Sequence, residues 1–557
     1  MDKTTTGSKA LIQSMINQNI KYVFGIPGAK VDQLFEDLQD FDDERTPKLI
    51  VTRHEQNAAF IAAAIGRLTG EPGVVAVTSG PGVSNLATGL ITATSEGDPI
   101  IAIGGQVKRD DLLRLTHQSI NSADLLKSAT KYSVEVQDAN NISETFSNAY
   151  ITAQSPKKGA AFISVPQDVL GDEVSRPVIN KLPKITNGSV DKTRMKEIAR
   201  LIEESKQPVI LAGMRASTTE VSESLHKLLH KFSIPVVETY QGAGIISEDL
   251  VENYYGRVSL FDNQIGDTIL KNSDLVIAIG YDPVEYEARN WNQSHTQVIN
   301  IDTVSPEITA EYQPSIIVNA DIAESIDALT EYIDDSMELS KDVTDHLHKL
   351  REHFTETIEE VHETTENGLH PISVIQSLQK FVSEDTIVTV DIGSHYIWMG
   401  RYFKTYKPRH LLFSNGMQTL GVSLPWAIGA ALTNPNEPVI SISGDGGFLF
   451  SGQELETAVR LNLNIIQLIW VDGYYDMVKF QEVAKYGHDA GVKFGYVGYV
   501  KYAESFGATG IRANNVEDLN SALNRAKDIN GPVIIEIPVD YQDNIELKTK
   551  LIPNELN

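Results

Sequence analysis

The stretch GDGGFLFSGQELETAVRLNLNIIQLIWVDG, residues 444–473, decides how this chain folds. An apolar run, PVISISG (438–444), leads into it, SGQELETAVRL follows with helical character, and NIIQLIWVD (464–472) closes it as a second apolar run. Read as strand, turn, helix and strand, it places Asp445 and Asp472 at the carboxyl ends of parallel strands, where open α/β sheets bind their ligands. The glycines let an anion approach the backbone, and the helix start beyond them offers free N–H groups to phosphate. A hard cation such as Mg²⁺ takes oxygen ligands and joins carboxylate to diphosphate. A bare GDG is only a turn; the surrounding strand–turn–helix–strand order makes it half of a candidate site. No Gly-x-x-x-x-Gly-Lys-Ser/Thr loop follows any of the apolar runs, which excludes a P-loop as the phosphate cradle.

The same punctuation recurs outward from this stretch. GVVAVTS (73–79), PIIAIGG (99–105), PVILAG (208–213), DLVIAIG (274–280) and TIVTVD (386–391) are near-continuous apolar runs, as expected of parallel strands covered on both faces. Ser79 onward, SGPGVSNLATGLITATSEGDPIIAIGG, repeats the order found at Ser443, so the first and last thirds read as two copies of one fold. Polar SRPVINKLPKITNGSVDKT (175–193) and the charged region from Asp334 to about Gly368 divide the chain into thirds. The expected architecture is α/β with three domains, each a doubly wound, mostly parallel sheet: residues 1–180, 190–345 and 366–540, with a tail over 541–557.

Length and composition set outer limits. A chain of 557 residues predicts about three or four domains. With 47 Lys and Arg against 75 Asp and Glu, the net charge of -28 argues against nucleic acid as partner. The absence of cysteine removes disulfides, thiolate metal sites and cysteine nucleophiles. Neither the first twenty residues nor any later segment holds an apolar run suited to a signal sequence or a membrane span, so a cytoplasmic protein is expected.

In LIVTRHEQNAAFIAAAIGRLTG (49–70), Glu55 stands in the first turn of an alanine-rich helix. By itself it reads as a carboxylate favoured by the helix dipole; the alternative is a buried acid that shares a proton with a ring nitrogen. Ala58, Ala59, Ala62, Ala63 and Ala64 imply close packing. His226 and His230 have metal-ligand spacing but lack the HExxH glutamate, and a solvated helix face is expected; QGAGIIS (241–247) is an incomplete dinucleotide fingerprint and reads as a loop.

Taken together, GIPGAK (25–30), RHEQNAAF (53–60), TSGPGVSNL (78–86), SNGMQTLGVSLPWAIGAAL (414–432) and the GDG stretch resemble, in order, the thiamine-diphosphate enzymes of the acetohydroxyacid (acetolactate) synthase family. HQSIN (117–121), GYDPVEYEARNWN (280–292), WVDGYYDMVKFQE (470–482) and KYAESFGATG (501–510) resemble its catabolic, FAD-independent branch. The resemblance implies a transferase that takes two pyruvates to 2-acetolactate and CO₂, using thiamine diphosphate and Mg²⁺ without FAD. It makes Glu55 the catalytic acid at the aminopyrimidine ring, and Asp445, Asp472 and the Tyr474 carbonyl the metal ligands. Cofactor contacts are implied for Gly28, Asn85 and Gln118, for Gln418 and Leu420, for Gly444, Gly446 and Gly447, and for Tyr475, Met477 and Val478. Gln118, Val478 and Gln481 are implied at the substrate. Where the biosynthetic branch has paired asparagines this chain has Val471 and Asp472, and Gln481 replaces its tryptophan, which implies pyruvate rather than 2-ketobutyrate as acceptor. The family further implies a homodimer as minimal active unit, built up to a homotetramer, with Glu55 serving cofactor held by another subunit. The tail from about Tyr541 is implied to close over the site. A related decarboxylase or pyruvate oxidase, or a non-catalytic scaffold relative, are the competing readings.

Overall fold

The computed structural model describes residues 5–334, 338–549 and 552; residues 1–4, 335–337, 550–551 and 553–557, including most of the end of the expected tail, lie outside the described residues. Contacts gather the chain into two compact units. The first contains Met1–Ile185 together with Gly421–Asn436 and Ser451–Ile465, and the second contains Thr186–Leu420, Glu437–Phe450 and Ile466–Asn557.

In the first unit six strands lie in the order Lys48–Val51, Tyr22–Gly25, Gly73–Val77, Ile100–Gln106, Ala160–Pro166 and Tyr132–Glu135, all paired in parallel. Val23, Val74, Ala76, Ile101 and Ile163 face one apolar cluster with Leu11, Met15 and Phe146. The alternate residues Phe24, Val75, Ala102 and Phe162 are also fully buried, so both faces of the sheet are covered. On the second face the helix Glu55–Thr69 packs against Pro81–Glu96 and Ser423–Thr433. Small residues set that spacing: a Cβ on Gly89 would meet Ala59 Cβ at 2.5 Å, and one on Gly429 would meet Ala64 Cβ at 2.7 Å.

The second unit holds two more six-stranded sheets. One runs Tyr254–Val258, Val236–Thr239, Pro208–Ala212, Leu275–Ile279, Gln297–Asp302 and Ile316–Asn319, again parallel. Its period-two alternation is explicit: Ile210, Ala212, Ile277 and Ile299 enter one core while Val209, Leu211, Val276 and Val298 enter the other. The third sheet runs Leu411–Leu412, Val388–Val390, Val439–Gly444, Ile465–Val471, Val533–Pro538 and Thr509–Arg512, with parallel pairings. The three-sheet α/β architecture expected from the sequence is the one observed. Among the described residues no helix is long and apolar enough to cross a membrane.

Two local expectations are corrected. The single helix expected after the GDG turn is divided into Asp445–Phe448, a 3₁₀ turn Gly452–Glu454 and Leu455–Arg460. Glu454 ends the 3₁₀ turn and takes the N-cap position of the following helix, and it is a buried acceptor described below. His230 is exposed, as expected, but His226 is half-buried and its Nε2 lies 3.0 Å from Ile245 O and 3.3 Å from the Ser247 N, against the loop formed by QGAGIIS.

Candidate active site

At the carboxyl end of the third sheet, four neighbouring strands each deliver polar residues to one place. Val388–Val390 leads to Ser394, Val439–Gly444 to Asp445, Ile465–Val471 to Asp472 and Asp476, and Val533–Pro538 to the turn Gln542–Ile545. Asp445 is 3% exposed; its Oδ1 accepts the Gly446 N–H at 3.0 Å and its Oδ2 the Gly473 N–H at 2.8 Å. That second bond ties the two strand ends together. Burial pushes the Asp445 carboxyl up to about 6, against the pull of its backbone donors. Asp472, which accepts the Tyr474 N–H at 3.3 Å, is pushed up to about 8 by burial and then by the charges of Asp476 and Asp445. Lys479 Nζ reaches Asp476 Oδ1 at 3.6 Å while lying 3.8 Å over the Tyr474 ring. Carboxylates crowded this way hold protons that a hard divalent cation would displace, so the donor set fits Mg²⁺.

The glycines of this stretch pack closely against their surroundings. A Cβ on Gly447 would stand 3.2 Å from the Asp391 carboxyl and 3.5 Å from Leu420, and one on Gly446 would strike the Tyr475 ring at 2.7 Å. One on Gly444 would lie 3.3 Å from His395. Such a cradle fits a diphosphate held by N–H groups. Gln418 has a φ of 49°, a left-handed conformation that aims its backbone differently from its neighbours. Tyr475 and Val478 are exposed, Met477 packs against the core, and Gln481 Nε2 donates to Met477 O at 2.8 Å.

The remaining expected residues lie in the first unit, at the carboxyl ends of its own strands. Glu55 opens the helix Glu55–Thr69 and accepts from Asn85 Nδ2 at 3.0 Å. It is half-buried, so the fully buried acid considered from sequence is not what the chain alone provides. A Cβ on Gly28 would strike Thr78 at 2.6 Å, and Gln118, with a φ of 61°, packs on Gly80 and lies 3.5 Å from Ser79 Oγ.

Sequence reasoning missed Glu454, Asp476, Ser394 and Asn544. Glu454 is fully buried; its Oε1 accepts the N–H groups of Arg53 and His54 at 2.9 and 3.1 Å and Asn57 Nδ2 at 3.1 Å, which fixes the approach to Glu55. Burial raises its proton affinity. The i,i+4 spacing of Asp472 and Asp476 was the one available signal for Asp476. A separate group, His362, His370 and Asp543, brings ligand atoms within 4.8 Å of one another. Its two rings are stacked at 3.6 Å and 17°; His370 Nδ1 accepts the Ile372 N–H, and its Nε2 lies 3.4 Å from Asp543 Oδ2.

Family models agree with this layout. The thiamine pyrophosphate enzyme N-terminal TPP binding domain matches residues 5–125, the central domain 195–329 and the C-terminal TPP binding domain 391–537. An acetolactate synthase of Bacillus subtilis (strain 168) is 46% identical over 99% of this chain and 96% of its own length. A catabolic acetolactate synthase of Raoultella terrigena is 41% identical over 97% of this chain and 96% of its own. A putative thiamine pyrophosphate-containing protein of Bacillus subtilis (strain 168), YdaP, is 29% identical over 96% of the chain. Matches of this extent on all three sheets mean that the chain belongs to the acetolactate synthase family of thiamine pyrophosphate enzymes.

Proposed function

We propose that the chain is a catabolic-type acetolactate synthase, converting two pyruvates into 2-acetolactate and CO₂. The observation that carries this reading is the pair Asp445 and Asp472 at neighbouring strand ends, tied together where the Gly473 N–H donates to Asp445 Oδ2 at 2.8 Å, beside the closely packed Gly444, Gly446 and Gly447. Asp445, Asp472 and the Tyr474 carbonyl would hold Mg²⁺, and Gly446 and Gly447 the diphosphate. Bound thiamine diphosphate supplies the electron sink for decarboxylation and carbon–carbon bond formation, which no side chain here provides. Glu55, whose Oε2 accepts from Asn85 Nδ2, would hold a proton at the aminopyrimidine ring. Leu420 and the Gln418 backbone would hold the cofactor from the carboxyl-terminal domain, and Gly28 and Gln118 would contribute from the amino-terminal domain. Val478 and Gln481 select the acceptor.

Independence from FAD is part of the proposal. At the carboxyl ends of the middle sheet, the crevice where a dinucleotide would lie, Arg215 bridges Asp282 at 2.5 Å and Asp302 at 2.6 Å. The active species is proposed as a cytoplasmic homodimer, assembled further into a homotetramer, with Glu55 acting on cofactor held by another subunit.

The test supplies purified protein with pyruvate, Mg²⁺ and thiamine diphosphate and measures acetolactate, as acetoin after acid treatment, alongside acetaldehyde and acetyl phosphate. Acetolactate as main product from a colourless protein is expected. Acetaldehyde or acetyl phosphate instead would move the chain to the decarboxylases or oxidases, and no product would leave it a scaffold.

A further inference from the structure

The turn Gln542–Ile545 places Asn544 against the start of the helix Asp476–Tyr486. Asn544 is 1% exposed, accepts Trp398 Nε1–H at 2.6 Å, and donates through Nδ2 to Asp476 Oδ2. The same Oδ2 accepts Ser394 Oγ–H at 2.8 Å, and Asp476 is 8% exposed. The turn is itself anchored: the Asp540 N–H donates to Leu369 O at 2.9 Å, the Gln542 N–H to Asp540 Oδ1 at 3.0 Å, and the Asn544 N–H to Tyr541 O at 3.0 Å. A side chain far along the sequence therefore fixes a buried carboxylate at the first position of a helix.

That helix carries Met477, Val478 and Gln481. Val478 is 46% exposed, so within the chain its position follows from the helix start rather than from packing over it. The force opposing the brace is also visible, because Lys479 Nζ draws Asp476 Oδ1 from 3.6 Å on the helix's own side. With Asn544 gone, Oδ2 loses one of its two neutral donors, and the balance shifts toward Lys479.

We propose that Asn544 is a positioning residue for acceptor selection: through Asp476 it sets the first turn of the helix that presents Val478 and Gln481 to the second keto acid. The inference rests on the acetolactate synthase reading. It assigns to the segment after Tyr541 a role in selectivity that differs from covering the site.

The test uses the full-length holoenzyme with equal concentrations of pyruvate and 2-ketobutyrate, a 2-keto acid one methylene longer, and measures the ratio of 2-aceto-2-hydroxybutyrate to 2-acetolactate. Asn544→Ala is expected to raise that ratio about threefold or more, since one methylene in a fitted pocket is discriminated by at least that much. Cofactor affinity of the apoprotein, read from quenching of intrinsic fluorescence on titration with thiamine diphosphate and Mg²⁺, should stay within about twofold, because the lost bond touches neither implied metal ligand. Trp398→Phe removes the other Asn544 bond and spares the donor to Asp476, so its product ratio should stay near wild type. If Asn544→Ala does not fold, Ser394→Ala removes the second donor to the same oxygen and should move the ratio the same way. An unchanged ratio in the folded variant, or an equal shift in Trp398→Phe, overturns the proposal. Absence of acetolactate from the unmodified protein would instead defeat the functional reading beneath it.

Discussion

Asp472 couples proton binding to stability and, on the proposed function, to the metal as well. Its carboxyl is raised to about 8 in the metal-free protein from an ordinary value of 3.8, by burial and by the neighbouring charges of Asp476 and Asp445. Between those values the folded chain binds more protons than the unfolded one, so its stability falls as pH rises through the window. In chelator, the melting temperature should therefore decline from pH 5 to pH 8, and Asp472→Asn should flatten that decline while keeping the Oδ1 acceptor for the Tyr474 N–H. Calorimetry across this range checks it; an unchanged slope in the variant would remove Asp472 as the source. Saturating Mg²⁺ with thiamine diphosphate should release protons and restore stability at the upper end. The two aspartates were legible in the sequence because each ends an apolar run. Their mutual pressure was not, because it depends on Asp476 turning back onto the site and on how much water is excluded.

At the scale of elements, the helix Glu55–Thr69 is positioned by small residues. Gly429, in the helix Ser423–Thr433, has no space for a side chain: its Cβ would meet Ala64 Cβ at 2.7 Å and Ile61 O at 2.8 Å. Neither neighbour is the flexible end of a long side chain, so Gly429→Val must separate the helices. The expected cost is about 1–3 kcal/mol, read as a lower melting temperature of the folded protein. A melting temperature within error of wild type would show that the interface yields. Arg67 adds a second tie, with its guanidinium 4.3 Å over the Trp426 ring and paired to Asp98 at 2.7 Å. The alanine run announced close packing, but nothing in the run named its partner. Periodicity marks the face a helix buries, whereas the identity of the opposing helix depends on a chain path that returns more than three hundred residues later.

For the whole molecule, the proposed exchange of roles between subunits makes a complementation experiment decisive. Glu55→Gln and Asp445→Ala are each expected to be nearly inactive. If Glu55 serves cofactor held by Asp445 of another subunit, a mixed dimer contains one site with both residues intact and one with neither. Equimolar co-refolding should then recover about a quarter of wild-type activity, as random pairing in a two-fold dimer dictates. No recovery, with mixed dimers confirmed by differential tags, would place both residues in one chain's site.

The sequence by itself determined the strand ends, the three parallel sheets and the acidic pair, since apolar runs broken by glycine turns have few other ways to bury themselves. It also announced Glu55 as a helix-start acid. Only the tertiary structure decided that Glu454 holds the backbone before Glu55, that His226 lies against a loop, and that Asn544 reaches back to Asp476. The physical reason is the same in each case: these groups act through hydrogen bonds across long sequence separations, and a local pattern of apolar and polar residues carries no record of which buried donor an acceptor will meet.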